Sequence, residues 1–309
     1  MMRSRRISTW AGVVVAVLIG VGAAGQSHIN GALAQSLGSG PHAAVISFGT
    51  ALAVSLLVVA GNRAARQGVR RVLESFRTGQ LPLWGFLGGL LGAQMVFAQT
   101  YLVPVVGVAV FMTSRMVGQL IGSMSIDHFG WLGSPVRRLT RTRSIGAALA
   151  VAAVMVIASG SDVEIQWVGY LLAGAVAGFL VSLQMGVTGA IKLHARNSFS
   201  ATLLNFAVGT SALLTVMLVG MSLGWVHAGP LPVEPWKYLG GVLGALYVVL
   251  IAAIVRTLGV TLLSLSIVGG QLLGSLIFDT IVGRFSWLLV AGLCLAFIGI
   301  GLANMPTRR

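Results

Sequence analysis

Residues 84–127 read WGFLGGLLGAQMVFAQTYLVPVVGVAVFMTSRMVGQLIGSMSID, and residues 236–279 read WKYLGGVLGALYVVLIAAIVRTLGVTLLSLSIVGGQLLGSLIFD. The two stretches align without a gap at an offset of 152 residues (236 minus 84), and 18 of the 44 aligned positions are identical. The identities include Gly118-Gln119-Leu120 on Gly270-Gln271-Leu272 and Asp127 on Asp279. Shared apolarity alone does not produce such matches, so the chain contains an internal duplication.

The composition places this duplicated unit in a membrane. Of the 309 residues, 56% are hydrophobic and 8% are charged, and the mean hydropathy is +0.94. A soluble domain carries about 25% charged residues, and a disordered chain has much less apolar side chain than this one. Because a bilayer-spanning helix uses roughly 20 apolar residues, we predict an all-α integral membrane protein.

Apolar runs bounded by charges, Pro or Gly predict ten transmembrane helices. Their predicted ranges are 9–31, 41–60, 82–102, 107–127, 144–160, 166–188, 198–220, 236–255, 259–279 and 286–304. A looser match pairs Gln26, Asn30 and Phe48 with Gln184, Thr188 and Phe206. The repeat is therefore a five-helix unit, with a first copy over residues 1–160 and a second over residues 161–309. Because five is odd, the second copy enters the membrane from the opposite face, which is typical of secondary transporters.

The formal net charge of +14 would indicate a nucleic-acid partner in a soluble protein. Here the cations lie in short loops between apolar runs, so membrane orientation accounts for them and no nucleic-acid partner is expected. With both termini in the cytoplasm, 17 of the 20 cations lie on the inner side of the cell membrane. The first residues also fit a cleaved secretory signal peptide. Cleavage would leave nine helices and spoil this charge distribution, so we expect a retained first helix.

The repeated small and polar residues resemble those of a known family. Gly88-Gly89-(x)2-Gly92-Ala93, followed by Gly118-Gln119-Leu120-(x)1-Gly122-Ser123-(x)3-Asp127, is similar to the YdcZ-type family of the drug/metabolite transporter superfamily, which is EamA-like. That family is commonly a five-helix unit, and this chain resembles a fused tandem pair. The resemblance implies ten helices, a location in the inner membrane and export of a small molecule, but no particular substrate.

Amides within the apolar spans are the first candidates for a substrate site. Gln119 and Gln271 occupy matched positions of the repeat, and a buried amide without a partner is costly. They either join helices or line a cavity, and the sequence leaves both readings open. The candidate substrate-binding residues are Arg115, Gln119, Gln271, Gln26, Gln184, Asn30 and Gln94.

Arg115 is the most unusual of these residues. It lies near the centre of a predicted helix, where an arginine costs roughly 2.5–3.5 kcal/mol on insertion scales. No carboxylate lies at its depth, and Gln94, Gln99, Tyr101 or backbone carbonyls could solvate it. Either such dipoles satisfy the guanidinium, or it lines the cavity and attracts an anionic group of the substrate. The second copy has an isoleucine at the matched position, so the charge belongs to one half only.

Asp127 and Asp279 end their predicted helices on opposite membrane faces. A carboxylate at a helix C-terminus opposes the helix dipole by roughly 0.3–1 kcal/mol. Each therefore needs a cationic or capping partner. Structural ion pairs or caps and breakable gate pairs both remain open.

These features predict a secondary transporter that exports a small metabolite, anionic if Arg115 faces the cavity, by alternating access across the cell inner membrane. The alternative is a channel or a non-transporting membrane protein. No HExxH, GxSxG or paired intramembrane aspartates occur, so we expect no enzyme, no catalytic residues, no metal ligands and no cofactor. One chain holds both halves, so a monomer suffices, and a homodimer remains possible in principle.

Overall fold

The computed structural model describes residues 9–131, 136, 140–159, 165–227 and 229–303. These residues form helices joined by short turns, with no β-strand among them, so the predicted all-α class is confirmed. The helices are α1 (Thr9–Leu37), α2 (Gly40–Gly61), α3 (Arg63–Arg77), α4 (Leu87–Val106), α5 (Val108–Phe129), α6 (Arg141–Ala158), α7 (Ile165–Ala195), α8 (Ser198–Ser222), α9 (Gly240–Ile281) and α10 (Trp287–Ala303). Short 3-10 turns over Leu83–Phe86 and Pro235–Tyr238 precede α4 and α9.

Several of these helices are long and apolar enough to cross a membrane. Within the described residues there are five such stretches, namely Trp10–Leu37, Gly40–Gly61, Leu83–Val106, Trp167–Ala195 and Ser198–Ser222. Shorter apolar helices cover Ser144–Ile157, Ser266–Ile281 and Trp287–Leu302. Eight of the predicted ranges each overlap one observed helix, although α1 and α7 run several residues further than predicted. The helices therefore have the composition of a membrane protein.

The predicted ranges 236–255 and 259–279 both overlap α9, in which no non-helical residue separates them. Its contacts with α1 nevertheless run in opposite directions at its two ends. A Cβ on Gly240 would meet Asn30, and one on Gly244 would meet Gln26. Residue numbers therefore decrease along α1 as they increase along α9, so the two helices are antiparallel here. Gly270 approaches Val17, and Gly274 approaches Val21. Residue numbers therefore increase along both helices, which are parallel here. The chain therefore turns back within α9, between Gly244 and Gly270.

The basic segment after α2 was expected only as a cytoplasmic loop, but it forms the amphipathic helix α3. The Asn62 side chain accepts a hydrogen bond from the backbone N–H of Ala65 and so caps its N-terminus. Its buried residues are Ala65, Gly68, Val72 and Ser75, spaced three or four apart as on one helix face. This face packs on α7 and α8, while Arg63, Arg66, Arg70 and Arg77 are exposed and the half-buried Arg71 donates to the carbonyl of Ala195 at 3.3 Å. The periodicity was visible in the sequence, but hydropathy alone does not detect it.

The two halves pack by exchanging partners, since α1 packs on α9 while α7 packs on α4 and α5. A Cβ on Gly20 would collide with backbone atoms of Ile267 and Gln271. A Cβ on Gly178 would collide with backbone atoms of Arg115 and Gln119, which are the matched residues of the first copy. Glycine is needed at both places because the helix backbones touch. One close helix crossing is thus made twice.

The equivalent helices of these two crossings run antiparallel. Arg115 bonds to Gln271, and Val108 bonds to Asp279, so numbers fall along α5 as they rise along the end of α9. These two segments are matched copies of one sequence. The contact therefore packs two helices of related sequence side by side in antiparallel orientation.

Candidate functional site

A cavity of about 570 Å³ lies between the two halves of the chain, and most of its lining residues come from α1, α4, α5, α7, α8 and α9. This volume is within the usual range for small-molecule sites, about 300–1,000 Å³. The polar part of its lining comprises four glutamines, one asparagine, a tyrosine, several hydroxyls and the two cations Arg115 and Lys192. Phenylalanine, methionine and valine side chains supply much of the rest. No Asp or Glu occurs among the lining residues of the described chain.

The structure brings together part of the predicted substrate site. Arg115, Gln271, Gln26 and Gln184 line the cavity. Gln119, Asn30 and Gln94 are not among its lining residues, although Gln119 contacts Arg115 directly. The role of all seven as substrate ligands remains a prediction.

Gln26 and Gln184 occupy equivalent places in the two halves. A Cβ on Gly244 would lie 2.8 Å from Nε2 of Gln26, and one on Gly92 would lie 2.5 Å from Nε2 of Gln184. Gly92 and Gly244 are themselves matched positions of the repeat. Each amide therefore reaches the cavity over a glycine that leaves room for it.

Arg115 is 7% exposed and is held by the two matched glutamines. Its Nη1 donates to Oε1 of Gln119 at 3.0 Å, and its Nη2 donates to Oε1 of Gln271 at 3.3 Å. The expectation that Gln94, Gln99 or Tyr101 solvates it was therefore wrong. Gln119 lies one turn further along the same helix, whereas Gln99 bonds elsewhere. The Nε of Arg115 is buried and has no hydrogen-bond partner among the described residues.

Gln99 closes one end of the cavity by joining α4 to α1. Its Oε1 accepts from Nδ2 of Asn30 at 2.8 Å, and its Nε2 donates to Oγ of Ser27. All three side chains are buried. Gly31 follows Asn30 on α1, and a Cβ on it would lie 2.7 Å from Cγ1 of Val103. We call these five residues the α1–α4 seal.

The other end of the cavity is open. Gly189 is the repeat equivalent of Gly31, and a Cβ on it would meet nothing within 4 Å. Met185, the equivalent of Ser27, is 52% exposed, and Lys192 is exposed one turn beyond Gly189. We call this open end, lined by Met185, Gly189 and Lys192, the Lys192 mouth.

Sequence reasoning missed several polar groups of the cavity, including Lys192 and Tyr247. Lys192 was counted only as a cytoplasmic cation, although Gln184, Thr188 and Lys192 lie at a spacing of four on one face of α7. That spacing could have revealed it. Tyr247 also lines the cavity, but its matched residue is Met95, so the repeat gave no signal for it.

Asp279 caps a helix of the other half. It is 3% exposed, its Oδ1 accepts from the N–H of Val108 at 2.9 Å, and its Oδ2 accepts from the N–H of Ala109 at 2.7 Å. These N–H groups begin α5 and have no partner within that helix. Gly107 precedes them with φ of +86°, and a Cβ there would lie 2.9 Å from Nη1 of Arg284. The geometry is that of a cap, and a gating role remains a prediction.

Asp127 is the repeat equivalent of Asp279, and its side chain lies outside the described part of the structure. The cations expected at residues 137, 138, 308 and 309, and the acids at 162 and 164, also lie outside the described residues. Their predicted positions stay predictions.

Comparison with known families identifies the repeated unit. Residues 11–156 match the family model described as "Putative inner membrane exporter, YdcZ", and residues 169–302 match the same model a second time. No curated protein matches the chain. The two matched segments follow the internal duplication and cover most of the sequence. The chain therefore belongs to the YdcZ family and carries the family unit twice in tandem.

Proposed function

We propose that this protein is a secondary transporter that exports a small metabolite across the cytoplasmic membrane by alternating access. In this proposal residues 1–160 and residues 161–309 are two inverted five-helix repeats. They supply ten membrane crossings, of which α9 supplies two because the chain reverses within it. Membership of an exporter family supports the direction of transport. The duplicated α1–α9 and α7–α5 crossings support the inverted repeat.

The unequal ends of the cavity are the observation that carries this proposal. Gly31 packs against Val103 at the α1–α4 seal, whereas its equivalent Gly189 meets nothing at the Lys192 mouth. In a protein built of two related inverted halves, each half can adopt the conformation of the other at little cost in free energy. One end would then close as the other opens.

The distribution of cations supports an orientation with both termini in the cytoplasm. The exposed arginines of α3 include Arg63, Arg66 and Arg77, and Lys192 and Arg196 lie at the adjacent end of α7. In this orientation the Lys192 mouth faces the cytoplasm. The cavity is then in the state from which an exporter takes up its substrate.

The principal experiment compares metabolites in the medium of cells with and without the protein. We expect at least one metabolite to accumulate outside only when the protein is present. The purified protein in proteoliposomes should then exchange that metabolite with saturation and counterflow. A channel would instead give non-saturating flux and unitary currents, and absence of any difference in metabolites or flux would contradict export.

Orientation is tested separately by cysteine labelling, with Cys294 replaced by alanine. A membrane-impermeant thiol reagent added outside intact cells should modify Asp162→Cys and not Arg70→Cys. In inside-out vesicles the pattern should reverse. Labelling of position 70 from outside would overturn the orientation.

A further inference from the structure

We infer that the substrate is an organic acid with one carboxylate and an apolar body, and that its carboxylate binds the guanidinium of Arg115. This inference rests on the proposed function, because it takes the cavity as the substrate site. It goes further by specifying both the charged group and the rest of the molecule.

The hydrogen bonds of Arg115 leave its binding capacity unfilled. A guanidinium has five N–H donors, and two of them are used by Oε1 of Gln119 and Oε1 of Gln271. Its Nε is buried without an acceptor among the described residues, although Arg115 itself lines the cavity. A buried unsatisfied donor on a charged group is costly. A carboxylate is the natural partner, because it accepts hydrogen bonds from two guanidinium N–H groups at once, and Nη1 and Nη2 each keep one N–H that the glutamines do not use.

The two glutamines position the guanidinium without neutralising it. Each accepts, through its Oε1, a hydrogen bond from a different terminal nitrogen of Arg115, which restricts rotation of the guanidinium plane. Both are uncharged, and the described lining of the cavity contains no Asp or Glu. The counter-charge to Arg115 is therefore left for a ligand to supply.

The charge of the cavity discriminates among classes of solute. Lys192 stands at the mouth, so both ionic groups of the lining are positive. An anion is attracted along this path and a cation is repelled. A zwitterion such as an α-amino acid would bring an ammonium into a cavity whose lining has no carboxylate for it. The arrangement therefore favours a simple acid over an amine or an amino acid.

The apolar walls define the remainder of the substrate. Phe48 and Phe206 meet edge to face with ring centroids 5.4 Å apart, and Met95, Met112 and Met185 also line the cavity. Aromatic side chains contribute large apolar contact area, and methionine adapts to different shapes. A second carboxylate placed against these walls would be buried without a cationic partner, because the other cation of the lining, Lys192, is exposed at the mouth. One charge and an apolar body fit this lining best.

The test measures binding of four probes of similar size to the purified protein in detergent, by calorimetry at neutral pH. They are 3-phenylpropionate, 3-phenylpropionamide, 3-phenylpropylamine and phenylalanine. We expect 3-phenylpropionate to bind at least tenfold more tightly than the other three. Equal or tighter binding of the amide, the amine or phenylalanine, or no binding of the acid, would overturn the inference.

Variants locate the binding group. Arg115→Gln should lose at least tenfold in affinity for 3-phenylpropionate, and Arg115→Lys should recover only part, because a point charge does not reproduce the planar fork. Arg70→Gln, an exposed arginine on α3, is the matched control and should bind like the wild type. If Arg115→Gln does not fold, Phe206→Ala should weaken the acid and leave acetate unaffected. Unchanged affinity in a folded Arg115→Gln, or in Phe206→Ala, would contradict the inference.

Transport assays separate this inference from the proposed function. If the acid binds but proteoliposomes show no exchange of it, the substrate class stands as a binding property and the transporter proposal fails. If proteoliposomes exchange an amine or an amino acid instead, the transporter proposal stands and the inference on substrate class fails.

Discussion

The two ends of the central cavity come from related sequences but are packed differently. The glycines of the helix crossings are repeated, so the backbones meet in the same way in both halves. The polar residues of the α1–α4 seal are not repeated, because Ser27, Asn30 and Gln99 have Met185, Thr188 and Ile251 at the equivalent positions. The comparison indicates that repeated glycines build the common framework. The unrepeated polar residues lie at the end of the cavity that is closed in this structure.

The largest expected effect comes from filling a helix crossing. A Cβ on Gly20 would lie 2.7 Å from the backbone nitrogen of Gln271, and backbone atoms cannot move aside as a flexible side chain can. We expect Gly20→Ala and its equivalent Gly178→Ala each to destabilise the fold by about 1–3 kcal/mol or more. Thermal unfolding in detergent and recovery of monodisperse protein measure this effect.

Gly22, two residues along the same helix as Gly20, provides the matched control. A Cβ there would meet nothing within 4 Å, and alanine favours the helix over glycine. Gly22→Ala should therefore leave stability unchanged or raise it slightly. Equal losses for Gly20→Ala and Gly22→Ala would break the argument that the crossing requires glycine.

The next effect tests whether the two ends exchange their packing. A Cβ on Gly189 meets no atom within 4 Å in the present state, so we expect Gly189→Leu to fold normally. It should nevertheless abolish flux, since the added side chain prevents Gly189 from packing as Gly31 does at the closed end. Counterflow in proteoliposomes measures the flux, and gel filtration checks the fold. Normal flux in Gly189→Leu would show that this end does not need to close.

A smaller effect is expected from weakening the α1–α4 seal. Gln99→Leu removes the bonds to Asn30 and Ser27 and leaves a buried amide unpaired, at a cost of about 1–3 kcal/mol. We expect the seal to open more often, so that Met112→Cys, at a residue that lines the cavity, becomes accessible to a membrane-impermeant thiol reagent from the far side in a background without Cys294. Gln94→Leu removes a nearby amide outside the seal and serves as the control. Equal labelling in both variants would mean that the seal does not depend on Gln99.

The smallest effect concerns the cap that Asp279 makes on α5. Asp279→Ala removes both acceptors of the Val108 and Ala109 N–H groups and should cost about 0.5–2 kcal/mol, as other lost helix caps do. Asp279→Asn keeps one side-chain oxygen and should lose less. Thr280→Ala, whose hydroxyl bonds only within its own helix, is the control. Thermal unfolding would contradict the cap if Asp279→Ala and Thr280→Ala behaved alike.

Sequence patterns predicted the helices wherever apolar runs were bounded by charge, but they placed a boundary inside α9, where no non-helical residue occurs. The charged residues between Gly240 and Ile281 are Arg256 and Asp279, and the stretch is assigned as helical from one end to the other. The helix α3 was missed for the opposite reason. Its arginines lower the mean hydropathy of the segment, so its apolar face is detected only from the spacing of three or four residues between apolar positions.

The repeat also predicted much of the cavity. Gln26 and Gln184 were chosen because they match in the repeat. Both line the cavity, where each faces a glycine, Gly244 or Gly92, and these two glycines are themselves matched positions. Gln99 was considered as a partner of Arg115, but it bonds to Asn30 and Ser27. Such a choice depends on which helix lies opposite, and spacing along a single helix carries no information about that.

The sequence by itself determined the membrane character, the duplication and the residues that depart from it, above all Arg115. These follow from composition and from comparison of one half with the other, which are properties of the chain alone. Only the tertiary structure decided that Gln119 and Gln271 together hold Arg115, that Asp279 caps a helix of the other half, and that one end of the cavity is sealed. The physical reason is that each of these contacts joins segments more than 60 residues apart or depends on such a junction, so its partners are set by helix packing.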